Sequence, residues 1–309
     1  MSNCVSVVLG QIGWSVTYTT QSICTLKGST VELTCSYIYP SGTVSTTFWF
    51  TKNDAEGNPV SLSDEPDYKG RVTYHRDKKN GHNLKITDLR ESDSATYMFR
   101  FIADQTRGIY SGDPGVTLSV TDLQVMVTPY SQMLPSKTLT CSTTSCSLTG
   151  NPTYTWYING QSLSWPTSQQ YTVWSPKTES YSCAVKGHED LHSPVVCAQG
   201  KECWRVTYTK RRICVLKGST VDISCSYTHP TSYIEQGSFW FTQKHPVDLS
   251  LYPEYAGRVE YNRNTENHHT MIITDLTEKD SAEYKFRLLT TDEGRFSGLP
   301  GVMLTDTGK

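Results

Sequence analysis

Polar and apolar residues alternate with a period of two in short runs along the chain. Val31, Leu33 and Cys35 stand on one side of a run whose other positions are Glu32, Thr34 and Ser36, and Leu84 and Ile86 repeat the pattern before Asp88. A period of two sends successive side chains to opposite faces, so each run is predicted to be a strand with one buried face. Long stretches with the 3.6-residue period of a helix are absent. The pattern predicts an all-β chain.

The strands fall into a repeat. Trp14 to Cys35 recurs as Trp204 to Cys225, with Cys24-Thr-Leu-Lys-Gly-Ser-Thr-Val answered by Cys214-Val-Leu-Lys-Gly-Ser-Thr-Val. Phe48-Trp49-Phe50 returns as Phe239-Trp240-Phe241, Gly70-Arg71-Val72 as Gly257-Arg258-Val259, and Asp93-Ser94-Ala95 as Asp280-Ser281-Ala282. Two copies of one fold are therefore expected at 14–122 and 201–309, the second ending inside its last strand and so read as truncated. Residues 123–200 form a shorter, different unit with Cys141, Trp156 and Tyr181-Ser182-Cys183 in order. Residues 1–13 precede the first copy, and the apolar stretch Val5 to Leu9, lacking a basic start, reads as a clipped signal peptide.

Each unit carries the marks of an immunoglobulin-like sandwich: a cysteine on one strand, a tryptophan some 15 residues on, and a tyrosine two residues before the position facing that cysteine. In the middle unit these are Cys141, Trp156 and Tyr181, and a Cys141–Cys183 bridge between the sheets follows. In the outer units Trp49 and Trp240 follow Cys35 and Cys225, Tyr97 and Tyr284 are the corner tyrosines, and Phe99 and Phe286 replace the second cysteine. Arg71 with Asp93, and Arg258 with Asp280, read as bidentate structural pairs at the base of each outer sandwich, partly exposed and worth about 1 kcal/mol. The architecture expected is three tandem sandwiches, V-like, C2-like and V-like.

Ten cysteines in 309 residues point to an oxidising compartment. A formal net charge of -2 leaves no electrostatic footprint for nucleic acid. No run of 18 apolar residues spans a bilayer as a helix. The chain is therefore expected outside the cell, as the extracellular part of a single-pass plasma-membrane protein.

Tyr97-Met98-Phe99-Arg100 and Tyr284-Lys285-Phe286-Arg287 resemble the strand signature of the siglecs, the sialic-acid-binding immunoglobulin-like lectins, and the chain resembles the B-lymphocyte siglec form of bony fish along nearly its whole length. The resemblance implies that Arg100 holds the carboxylate of sialic acid. Trp14 on the first strand and an aromatic on the last edge strand would flank it, at Tyr110 with Ile109 beside it. Arg287, Trp204 and Phe296 form the second candidate set. It also implies a bridge from Cys146, ten residues before Trp156, to the first sandwich, where Cys24 is the outward-pointing partner and Cys197 competes for the same thiol. Siglecs bridge the first cysteine to one on a neighbouring strand, but here that strand reads His82-Asn83-Leu84 and His269-Thr270-Met271, leaving Cys35 and Cys225 as buried thiols. Cys4, Cys203 and Cys214 have no assigned partner.

The chemistry suits such a ligand independently: a planar guanidinium forms two parallel hydrogen bonds to a carboxylate, and flat aromatic surface accepts the apolar parts of a sugar. His82, His268 and His269 are expected to be surface histidines, because neighbouring strand residues face opposite ways and no third ligand completes a metal set. No nucleophile with its base and no phosphate-cradling loop is present, so neither catalysis nor a cofactor is expected. The sequence supports a cell-surface lectin for sialylated glycans on glycoproteins or glycolipids, acting in adhesion and immune regulation. The alternative is an immunoglobulin-family receptor whose ligand is a protein at the cell surface.

Overall fold

In a computed structural model of the chain, the described residues are 13–39, 43–76, 80–103, 108–129, 136–174, 178–199, 203–265, 267–291 and 295–306. They are strands joined by turns, and no helix among them is long and apolar enough to cross a membrane. Cys4 lies outside these residues. The chain divides into two compact units, Met1–Asp122 with Thr143–Asn151, and Leu123–Ser142 with Pro152–Lys309.

Nine strands build the first unit: β1 Ser15–Tyr18, β2 Ser22–Leu26, β3 Val31–Ile38, β4 Val44–Phe50, β5 Val72–Arg76, β6 Gly81–Ile86, β7 Ala95–Ala103, β8 Gly108–Ser111 and β9 Val116–Thr121. One sheet runs β1-β3-β6-β5 and the other β2-β9-β7-β4, with β8 added to β7. The alternation read from the sequence selects the buried faces: Val31, Leu33 and Cys35 of β3 and Tyr97, Phe99, Phe101 and Ala103 of β7 point inwards. Together with Trp49, Leu62, Leu84 and Leu118 most of them form one shared core. Each such large apolar side chain contributes about 1.5–3 kcal/mol on burial.

The second unit holds sixteen strands. β10 Leu123–Pro129, β11 Ser136–Thr143, β12 Tyr154–Ile158, β13 Gln161–Ser162, β14 Gln170–Trp174, β15 Ser180–Val185 and β16 Val196–Cys197 form two sheets, β10-β11-β14 and β13-β12-β15-β16. The remainder are β17 Arg205–Tyr208, β18 Arg212–Val215, β19 Val221–Thr228, β20 Glu235–Phe241, β21 Val259–Thr265, β22 His268–Ile273, β23 Ala282–Thr290, β24 Arg295–Ser297 and β25 Val302–Asp306. They repeat the first unit's sheets as β17-β19-β22-β21 and β18-β25-β23-β20, with β24 on β23. Six sheets with no helical layer among the described residues give an all-β chain.

Three disulfides stand among the described residues. Cys141 joins Cys183 across the sheets that carry β11 and β15, with Trp156 fully buried beside them. Cys24 joins Cys146, and the Thr121 hydroxyl accepts hydrogen bonds from the backbone amides of Thr144 and Ser145 at 3.1 Å each. These bonds are why residues 143–151 belong with the first unit. Cys197 pairs with Cys203, so the alternative Cys146–Cys197 bridge is corrected. Cys35 and Cys225 are buried thiols and Cys214 an exposed one.

Two expectations change. His82 and His269 are not surface residues: each is 2 % exposed. The register explains it, because His82 pairs with the inward Cys35 and His269 with the inward Cys225, so they too face inwards, and only His268 is exposed. Each accepts the indole N–H of a core tryptophan at Nδ1, from Trp49 at 3.2 Å and from Trp240 at 3.0 Å, which satisfies a buried donor and ties the two sheets together. Burial pushes both imidazoles down to a pKa of about 4, with Arg76 adding to the effect on His82 and Arg263 on His269. The second change concerns Arg71 and Asp93, which are buried rather than partly exposed, at 8 % and 2 %. Their bonds are 2.8 and 2.7 Å, and Asp93 also accepts the Arg90 amide. The neighbouring Tyr97 hydroxyl donates to the Asp93 carbonyl at 2.8 Å, closing the corner.

Two predictions follow from this framework. Removing one partner of a buried pair strands the other charge, so Asp93→Ala should destabilise the first unit by about 3–5 kcal/mol in urea unfolding. The twin change Asp280→Ala should cost less, because Arg258 is 22 % exposed. An equal loss in both would contradict the burial argument. The histidines set a pH dependence: the unfolded chain takes up their protons near pH 6.5, while the folded chain does so only near 4, so more protons are bound on unfolding in between. Their contribution is complete above about 6.5, shrinks as the pH falls towards 4, and changes no further below. His82→Gln with His269→Gln should flatten the unfolding midpoint between pH 7 and 4 relative to the parent chain, and an unchanged slope would contradict the assignment.

Candidate functional site

On β7 the inward Phe99 and Phe101, both fully buried, leave Arg100 between them on the opposite face. Arg100 pairs across β7 with Ser111 of β8 and with Phe48 of β4. Its Nε donates to the Ser111 hydroxyl at 3.0 Å. Among the described residues the guanidinium meets no carboxylate, so the fork of its two terminal nitrogens is left for another acceptor. Ile109 stands on the same face, paired with Ile102 and 59 % exposed.

A hydrogen-bonded tyrosine fixes the place where β8 gives way to β9. The Tyr18 hydroxyl accepts the Phe99 amide at 2.9 Å and donates to the Gly112 carbonyl at 2.8 Å. A Cβ on Gly112 would lie 2.6 Å from that hydroxyl, so only glycine permits the crossing. Burial raises the Tyr18 phenol to about 12. Ser111 precedes this glycine and is thereby held opposite Arg100.

The flanking aromatics do not gather on Arg100's face. Trp14 stacks on Phe101 with ring centres 5.5 Å apart, and Tyr110 lies 5.7 Å from the same ring. The register accounts for this: Tyr110 pairs with the inward Phe101, so it shares the core side with Trp14, Tyr37 and Tyr39. The expected Trp14–Arg100–Tyr110 cluster is thus split between two faces, and Ile109 alone of the flanking candidates shares Arg100's side.

In the second unit Arg287 repeats the arrangement, with Nε on the Ser297 hydroxyl at 3.0 Å, while Trp204 stacks on Phe296 at 5.7 Å on the core side. There the guanidinium is already engaged. It lies 4.1 Å over the Phe241 ring and 5.8 Å from Phe239, and Nη1 reaches the Pro246 carbonyl at 3.5 Å. Burial and the nearby Arg295 lower its pKa from the ordinary arginine value. Arg100 is the freer of the two. Ser111 and Ser297 escaped the sequence reading, although the Ser-Gly at 111–112 and again at 297–298 marks both. Among the described residues no cluster of histidine, cysteine and carboxylates is arranged to hold a metal.

Residues 25–123 match a family model described as B-cell receptor CD22-like, first Ig-like. No curated protein matches the chain. Among solved structures it is similar to a complex of Dpr2 Ig1-Ig2 with DIP-Theta Ig1-Ig3, at 15 % identity over 94 % of this chain and 99 % of that one, with a TM-score of 0.27. It is also similar to Titin-A168169, at 11 % identity over 95 % and 99 %, with a TM-score of 0.26. At those values neither structure carries an argument. What the comparisons contribute is that residues 25–123, the stretch containing Arg100 and Ser111, are similar to a CD22-like first immunoglobulin-like domain.

Proposed function

We propose that the chain is the extracellular part of an immunoglobulin-superfamily cell-surface receptor, with V-like, C2-like and V-like sandwiches at 14–122, 123–200 and 201–309, and that it binds sialylated glycans through Arg100. The observation that carries this reading is the held but uncommitted guanidinium: Nε is anchored on Ser111, and the terminal fork faces outwards without a carboxylate among the described residues. A sialic acid carboxylate accepts both terminal N–H groups of that fork. A charged hydrogen bond of this kind contributes about 1.5–3 kcal/mol, against about 4 kcal/mol for a millimolar complex, so one arginine dominates a weak site and avidity supplies useful binding. Ile109 offers apolar surface to the rest of the sugar. Trp14 and Tyr110 support the strand from behind, through Phe101.

A second reading, a protein ligand on the same face, is favoured by the exposure of Ile109 beside Arg100. Binding of the multimerised chain to cells before and after sialidase treatment separates the two. For the lectin reading, sialidase abolishes binding, and Arg100→Ala lowers it at least about tenfold. Arg100→Lys loses most of it too, because the ammonium keeps the charge without the fork. Ser111→Ala costs severalfold by releasing Nε, and Arg287→Ala has little effect. Binding that is indifferent to both sialidase and Arg100→Ala removes the lectin reading and leaves the protein-ligand receptor.

A further inference from the structure

The repeat provides an internal comparison that exposes a second site in the first unit. A solvent-open groove of about 520 Å³ lies along the edge where β4 approaches β5, with Thr47, Ser61, Tyr74 and Arg76 among its polar lining and Phe48 and Pro59 among its apolar lining. That size is typical of small-molecule sites. The corresponding residues of the second unit, at the same places in the strands, are Ser238, Asp248, Tyr261 and Arg263, with Glu235 at the position of Val44.

In the second unit every one of these groups is satisfied. The Tyr261 hydroxyl donates to Asp248 at 2.7 Å. Arg263 pairs with Glu235 at 3.2 Å and donates to the Ser238 hydroxyl at 2.9 Å. In the first unit both carboxylates are gone. Arg76 keeps the bond to the hydroxyl, on Thr47 at 2.6 Å, but among the described residues it has no carboxylate partner. The Tyr74 hydroxyl is buried and has no carboxylate partner among the described residues; Ser61 and Ser63 stand beside it and bond each other at 2.7 Å. An exposed guanidinium that has lost the carboxylate its twin retains defines a place for an external acceptor. Asp64, also lining the groove, accepts rather than donates, which favours a ligand with hydroxyl groups beside its anion.

We infer that this groove binds a hydroxyl-bearing carboxylate of about one sugar's size, its carboxylate on Arg76 and its hydroxyls on the paired serines and Asp64. The site takes no contact from Arg100, although Phe48 of its lining is Arg100's cross-strand neighbour.

The test is a 1H–15N NMR titration of the whole chain with glucuronate, run in parallel with glucose. Saturable shifts are expected at Ser61, Ser63, Tyr74 and Arg76 in the millimolar range, with glucose weaker by about tenfold or more. Arg76→Ala should weaken glucuronate by a similar factor. Ser61→Asp and Val44→Glu restore the carboxylates that the second unit tolerates in the same fold. Each should keep the parent's melting temperature while losing the titration. Arg100→Ala should leave it unchanged, so this inference and the lectin reading fail separately. The inference is overturned if glucuronate gives no saturable shifts at these residues. It is equally overturned if glucose binds as tightly, or if the shifts survive both Arg76→Ala and Ser61→Asp.

Discussion

The outward placement of Arg100 depends on Phe99 being seated between a tryptophan and a histidine. Its ring lies 5.5 Å from Trp49 and 4.8 Å from His82, and those two are joined by a hydrogen bond from one sheet to the other. With Phe99 pinned there, strand alternation leaves Arg100 no direction but outwards. The second unit has the same arrangement, with Phe286 at 5.5 Å from Trp240 and 5.0 Å from His269. A histidine performs this role because its unprotonated nitrogen accepts the indole N–H that would otherwise be stranded in the core. It stays neutral because burial lowers its pKa to about 4. The contact also explains how the outer sandwiches dispense with an internal disulfide: Cys35 and Cys225 remain thiols, with pKa values raised by burial, and aromatic packing with polar links such as the tryptophan–histidine bond connects the sheets.

Two copies of one frame pair their polar side chains differently. Arg287 lies flat on Phe241 and touches a backbone carbonyl, whereas among the described residues Arg100 is held at Nε by Ser111. Arg263 and Tyr261 are paired with Glu235 and Asp248, whereas among the described residues their counterparts Arg76 and Tyr74 have no carboxylate partner. In both places the second unit pairs its polar groups with its own carboxylates, rings or carbonyls, and among the described residues the first does not. The divergence lies in a few side chains while the strand register, the tyrosine corner and the buried arginine–aspartate pair persist.

Much of the frame was legible in the residues alone. The repeat from Trp14 to Cys35 and Trp204 to Cys225, the corner tyrosines and the partners of Arg71 and Arg258 could be read because each depends on local spacing. What escaped depends on register between distant strands. His82 looks polar and exposed until β6 is set against β3 and the histidine falls opposite the inward Cys35. Tyr110 and Ile109 are adjacent, and only the pairing of β8 with β7 decides which of them faces the core. Trp14 needed the position of Phe101, and Ser111 needed the crossing of Tyr18 over Gly112. Assignment of residues 143–151 to the first unit required knowing that Thr121 is bonded to their backbone.

The central functional claim is that the outward fork of Arg100 is a carboxylate receptor while that of Arg287 is already occupied. A crystal structure of the chain with a sialic-acid-terminated trisaccharide tests it most directly. The account predicts the ligand carboxylate on the two terminal nitrogens of Arg100, with the Nε bond to Ser111 retained and Arg287 still lying on Phe241. A sugar bound at Arg287 with Arg100 vacant, or a carboxylate held elsewhere on the chain and not by Arg100, would contradict it.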